Sequence, residues 1–102
     1  HMPKVLIADK LSQQAIEEFE KRGVKADVKT GLAVDELLKI VGEYDGLAIR
    51  SATKVTKDVL AAAKKLKVVG RAGIGVDNVD IPAATASGVV VMNTPFGNSI
   101  TT

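Results

Sequence analysis

Two patterns alternate along this chain: short unbroken apolar runs, and stretches in which apolar residues return every three or four positions. Val5-Leu6-Ile7-Ala8 carries no polar interruption, as a strand buried on both faces requires. Ser12 then offers a side-chain oxygen to cap a helix in which Ala15, Ile16 and Phe19 form one apolar stripe. Glu17, Glu18, Glu20 and Lys21 fall on its wet side, and Gly23 stops it. Val24 to Val28 alternates apolar with polar, the mark of an edge strand, and Asp35 begins a second helix carrying Leu37, Leu38, Ile40 and Val41 before Gly42. The third strand is Gly46-Leu47-Ala48-Ile49, ending at Arg50, and Thr56 or Asp58 opens a third helix that runs through the alanines to Lys65. Leu66 to Gly70 predicts a fourth strand. Asp80 caps a short helix whose first turn accepts Pro82, Gly88 ends that helix, and Val89-Val90-Val91-Met92 is the fifth strand.

Strand and helix alternating through short connections predict an α/β fold with right-handed crossovers. For five strands the natural solution is a flavodoxin-like, doubly wound parallel sheet of order 2-1-3-4-5. No linker, low-complexity tract or internal repeat interrupts the pattern. A length of 102 residues, 46% of them apolar, fits one domain with a packed core of its own. His1 before Met2 reads as the remnant of a tag, which leaves residues 3–102 as the domain.

Composition narrows the chemistry. Cysteine is absent, so disulfides, thiolate metal ligands and a cysteine nucleophile are excluded, in keeping with a cytoplasmic setting. Lysine and arginine number 14 against 12 acidic residues, and only Lys64, Lys65 and Lys67 cluster, at a solvated helix end. Nucleic-acid binding asks for a basic stripe with aromatic platforms, whereas the aromatic residues here are Phe19, Tyr44 and Phe96. No apolar run approaches a membrane span, and no secretion signal opens the chain.

The residues that invite chemistry lie in three polar, glycine-containing segments, each following an apolar run: 50–55, 71–80 and 92–98. In an open α/β sheet, ligands sit outside the carboxyl ends of the strands, where these segments would form one rim. Arg50 and Arg71 follow central strands and could each present a planar fork to a carboxylate or phosphate. An ion pair with a rim carboxylate such as Asp77 would place them equally well. Gly73-Ile74-Gly75 suggests a nucleotide loop, but Asn78 occupies the position of the third glycine in G-x-G-x-x-G. The same glycines also suit a loop of positive φ that lets the backbone come close to something. Asp77, Asn78 and Asp80 are too short a run to gather the oxygen ligands of a hard cation and read as turn and cap residues. Asn98, in Pro95-Phe96-Gly97-Asn98-Ser99, reads as an ordinary turn residue.

The wording of these three segments resembles the amino-terminal, substrate-binding part of the D-isomer-specific 2-hydroxyacid dehydrogenases, in their phosphoglycerate branch, from about Met2 to the last residue. That resemblance implies a site for an anionic substrate, 3-phosphoglycerate, built from Arg50, Ser51, Arg71, Ala72, Gly73, Gly75 and Asn98, with Ile74 nearest the cofactor. It implies NAD in the intact enzyme and a homo-oligomeric parent acting in serine formation. The catalytic arginine and the glutamate–histidine pair of the family belong to sequence beyond Thr102, so no catalytic residue is assigned here. The chain by itself is expected to be an inactive monomer that binds no NAD. Two other readings stand beside this one: the substrate domain of a glycerate, formate or lactate-type dehydrogenase, and a receiver-like signalling module of the same strand order. The latter needs an acidic cluster, whereas Arg50 ends the third strand and Asp9 stands alone.

Overall fold

A computed structural model describes residues 3–72 and 77–94. The elements are β1 (Lys4–Ile7), α1 (Gln13–Lys21), β2 (Lys25–Val28), α2 (Val34–Ile40) with a 3-10 turn (Val41–Glu43), β3 (Gly46–Ile49), α3 (Lys57–Ala62), β4 (Val68–Ala72), α4 (Ile81–Ala86) and β5 (Val90–Thr94). All strand pairs are parallel and the order is β2-β1-β3-β4-β5, as the alternation predicts.

The direction of each crossover decides which face a helix covers. Only β1 to β2 steps toward one edge; every later connection steps toward the other. Accordingly, among the described helices, α1 alone packs on one face, with Leu11, Ala15, Ile16 and Phe19 against Val5, Ile7, Ala48 and Ala72. On the opposite face Leu37 of α2, Val59 and Leu60 of α3 and Ala84 of α4 close over Leu6, Leu47, Ile49 and Val69. Leu6, Ile7, Leu47 and Ile49 are at most 2% exposed, and each such side chain contributes about 1.5–3 kcal/mol by leaving water. On the α1 side of the sheet, β5 leaves Val90 and Met92 exposed.

The helix starts follow the caps read from sequence. Ser12 Oγ accepts the Ala15 N–H at 3.2 Å, Thr56 Oγ1 the Val59 N–H at 3.3 Å, and Asp80 Oδ1 the Ala83 N–H at 3.1 Å. Helix α2 begins one residue before Asp35 because Glu36 reaches back to the Ala33 N–H at 3.0 Å. Gly23 and Gly88 turn the chain at positive φ after α1 and α4.

Several boundaries besides the start of α2 differ from the expected ones, β1 beginning at Lys4 and β4 at Val68 among them. Helix α3 stops at Ala62 rather than Lys65, because the chain must turn at once to bury Leu66 at the head of β4. Strand β4 runs on to Ala72, so Arg71 stands within the strand rather than after it. The cause is β5, which begins at Val90 rather than Val89 and extends to Thr94, pairing Arg71 with Asn93 and Ala72 with Thr94.

Candidate functional site

The carboxyl edge of the sheet is organised by two buried polar side chains, Asp9 just after β1 and Asn78 in the turn before α4, at 6% and 8% exposure. Both act on residues 50–53. Asp9 Oδ2 accepts the N–H groups of Arg50 at 2.7 Å and of Thr53 at 3.0 Å, and its Oδ1 accepts the Thr53 hydroxyl at 2.6 Å. From the other side, the Asn78 carboxamide nitrogen donates to the Arg50 and Thr53 carbonyls, each at 2.6 Å. The donors and acceptors at both ends of this turn are thus held, the donors by a carboxylate and the acceptors by an amide. Buried polar groups satisfied in this way fix a loop as firmly as regular structure would. A parallel bridge between Val55 and Val79 ties the two loops together just beyond.

What the clamped turn exposes is Arg50, Ser51 and Ala52. Among the described residues the Arg50 guanidinium makes a weak contact, Nη1 at 3.5 Å from the Lys10 carbonyl, and Arg50 is exposed. Arg71 is half-buried, its side chain on the sheet face of Val69, and Nε donates to Asn78 Oδ1 at 2.6 Å. Ala72 is buried, at the end of β4. Gly73, Ile74, Gly75 and Asn98 lie outside the described residues. The structure therefore brings Arg50, Ser51, Arg71 and Ala72 to neighbouring ends of β3 and β4, the edge at which ligands of open α/β sheets sit. Beside the same turn a cavity of about 160 Å³ opens where the strand order reverses, with Asp9 and Thr53 on its polar side and Leu32, Leu37 and Val59 on its apolar side.

Asn78 lies in a turn and Asp80 caps α4, as read from the sequence; what that reading did not contain is the Asn78 amide, which joins the end of β3, the β3–α3 loop and β4. Asp9 is the second residue that sequence reading passed over, since a lone acid after a strand carries no signal of the loop it will bind. Among the described residues no group of three histidine, cysteine or acidic side chains could hold a metal ion. Asp9 is moreover engaged by three donors. No helix among the described residues is long and apolar enough to cross a membrane.

The chain is a doubly wound sheet whose carboxyl edge carries Arg50 and Arg71 beside two buried polar side chains, Asp9 and Asn78. The chain belongs to the D-isomer-specific 2-hydroxyacid dehydrogenases: the family model for their catalytic domain matches residues 5–102. The curated relatives it resembles include D-3-phosphoglycerate dehydrogenases. Those of Archaeoglobus fulgidus and Synechocystis are 50% and 52% identical over 99 residues, covering 97% of this chain but 19% and 18% of the relatives. The human enzyme is 50% identical over 100 residues, 98% of this chain and 19% of its own length. The chain thus spans about a fifth of the length of these relatives. Among solved structures, a Pyrococcus horikoshii protein superposes with TM-score 0.86 at 32% identity over 92% of this chain and 28% of that one. The NAD⁺-bound 3-phosphoglycerate dehydrogenase of Entamoeba histolytica superposes with TM-score 0.83 at 27% identity, over 93% of this chain and 33% of that one.

Proposed function

We propose that this chain is the substrate-binding domain of an NAD-dependent D-3-phosphoglycerate dehydrogenase, which oxidises the 2-hydroxyl of 3-phosphoglycerate to the ketone of 3-phosphohydroxypyruvate at the entry to serine formation. The observation that carries this reading is the pair Arg50 and Arg71 on neighbouring strand ends, their backbone and side chain anchored by Asp9 and Asn78. Charge-assisted bonds from a guanidinium to a carboxylate or phosphate contribute about 1.5–3 kcal/mol each. The work of this chain's own residues is to bind and orient the substrate anion.

The residues present do not fit the pyrophosphate of a dinucleotide. A cradle of that kind needs a third glycine where Asn78 stands, and the Asn78 side chain is buried and engaged by three partners. It also needs a long helix behind the turn, whereas α4 has six residues. NAD therefore belongs to another part of the intact enzyme, and the chain alone is expected to reduce no NAD with 3-phosphoglycerate.

Calorimetric or fluorescence titration with 3-phosphoglycerate tests the reading. Millimolar affinity, about 4 kcal/mol, is expected of half a cleft open to water. Arg50→Ala should abolish it. Arg22→Ala, which removes the same charge from an exposed i,i+4 pair with Glu18 on α1, should leave it intact. Equal binding by Arg50→Ala and the unaltered chain would refute the assignment.

A further inference from the structure

We propose that the cavity beside the 50–53 turn is a second small-molecule site, for a primary ammonium on a short branched hydrocarbon body, about six non-hydrogen atoms in all. It needs neither arginine and stands apart from the substrate reading.

The cavity of about 160 Å³ lies between the end of β1, the β2–α2 loop, α2 and the start of α3. A hydrocarbon-lined cavity of about 150 Å³ takes benzene, which sets the size of the body that fits. The two sides of the cavity differ in kind. Leu32, Leu37 and Val59 form the apolar side, and Val34, at the start of α2, also lines the cavity while 65% exposed. Val34 thus leaves apolar surface in water that the hydrocarbon of a ligand would cover.

On the polar side, Asp9 and Thr53 offer acceptors alone. Asp9 Oδ2 accepts two N–H groups and Oδ1 one hydroxyl, so of about four lone-pair sites on a carboxylate one, on Oδ1, is left among the described residues. The Thr53 hydroxyl has its single proton in the bond to Asp9 at 2.6 Å, and its oxygen keeps only the capacity to accept. A ligand must therefore donate to this pair. Charge narrows the choice. Asp9 is 6% exposed and its three partners, two N–H groups and a hydroxyl, are all neutral. Burying an ion pair is favourable only where geometry and further hydrogen bonds offset the loss of water. Here the fold has already withdrawn Asp9 from water and supplied its other bonds, so only the incoming cation is left to desolvate. An ammonium brings three donors, enough for Asp9 Oδ1 and Thr53 Oγ1 with one left for water, whereas an alcohol brings one. Lys54, the one cation lining the cavity among the described residues, is exposed, so water and salt screen its charge.

The test is protein-observed NMR of the full chain with isopentylamine, and with isopentyl alcohol as its neutral isostere. The amine should give saturable shifts of the Leu32, Leu37 and Val59 methyl groups and of the Thr53 amide, with nuclear Overhauser contacts from its own methyl groups to Leu37 and Val59. It should bind at least about ten-fold more tightly than the alcohol. Asp9→Asn, which puts an amide nitrogen where Oδ1 stood, should bring the two probes within about two-fold of each other. Leu32→Phe, which fills the apolar side, should weaken both by about five-fold or more. Leucine, the same amine with a carboxylate on the carbon that bears the nitrogen, separates the sources. Tighter binding than the amine assigns the site to amino acids through Lys54, and weaker binding assigns it to free amines. A flat titration with the amine, shifts confined to residues outside the cavity, or equal affinity for amine and alcohol in the unaltered chain would overturn the proposal. So would a preference for the amine that survives in Asp9→Asn. Should that variant fail to fold, the comparison of amine with alcohol in the unaltered chain and in Leu32→Phe decides.

Discussion

Replacing Asp9 should separate the charge of the clamp from its shape. In Asp9→Ala three donors lose their acceptor: the Arg50 and Thr53 N–H groups and the Thr53 hydroxyl. Three hydrogen bonds to a carboxylate, at about 1.5–3 kcal/mol each, set an upper bound of roughly 5–9 kcal/mol. The adjoining cavity of about 160 Å³, which Asp9 and Thr53 line, has room for water to take over part of that bonding. The net cost should then be about 3–4 kcal/mol, since water bonds replace some of the lost ones at a price in order. Asp9→Asn differs in kind. Its amide oxygen can still face the two N–H groups, and its nitrogen can donate to the Thr53 hydroxyl, which rotates to accept. Only the charge assistance is lost, about 1–2 kcal/mol. For a domain of this size each kcal/mol lowers Tm by about 4–8 °C. Thermal unfolding followed by circular dichroism should therefore place Asp9→Ala at least about 12 °C below the unaltered chain, with Asp9→Asn clearly between them. Equal losses in the two variants, or a loss below about 1 kcal/mol in Asp9→Ala, would refute the reasoning, because the turn would then be held by something other than these bonds.

Burial and the nearby Asp27 carboxylate, to which its hydroxyl donates at 2.7 Å, push the Tyr44 phenol up from 10.0 to about 12. The neutral phenol is the form the fold favours, so its contribution is complete below pH 10 and is lost as pH rises from 10 toward 12, by about 1.4 kcal/mol per unit. Urea midpoints across that window should fall more steeply for the unaltered chain than for Tyr44→Phe, and parallel curves would contradict the assignment. Gly42→Ala should destabilise by about 1–3 kcal/mol, the usual cost of forcing an atom into a packed site. The new Cβ would lie 2.8 Å from the Ala62 carbonyl oxygen, so α3 would have to shift. A denaturation curve indistinguishable from that of the unaltered chain would show that the helix end yields freely.

The layers of the fold were legible because local rules and global topology agree. Short uninterrupted runs such as Val5 to Ala8, bounded by polar residues, suit central strands, and Ser12, Thr56 and Asp80 each bond the residue three positions on, a contact that spacing alone predicts. The end of α3 was not legible. Alanine and lysine favour continuing the helix, and the need to bury Leu66 overrides them. Nor was the placement of Arg71 inside β4, which depends on how far β5 pairs. The arginines of the edge could be found because they follow apolar runs. Asp9 and Asn78 could not, because their partners lie 41 and 28 residues away at Arg50, and a bond between distant loops leaves no periodicity in the chain. Asn78 in particular sits in a stretch of turn-formers, where the ordinary reading of an asparagine is the correct one far more often than a buried junction.

The central claim is that the ends of β3 and β4 form the substrate edge, and chemical-shift mapping of the unaltered chain with 3-phosphoglycerate tests it most directly. The account predicts saturable perturbations, in the millimolar range of about 4 kcal/mol, at Ser51, Thr53, Arg71 and the Asn78 carboxamide, with inorganic phosphate shifting a subset of the same signals. Perturbations confined to the lysines that follow α3, Lys64, Lys65 and Lys67, would contradict it, as would a response that grows linearly with ligand at every exposed cation alike.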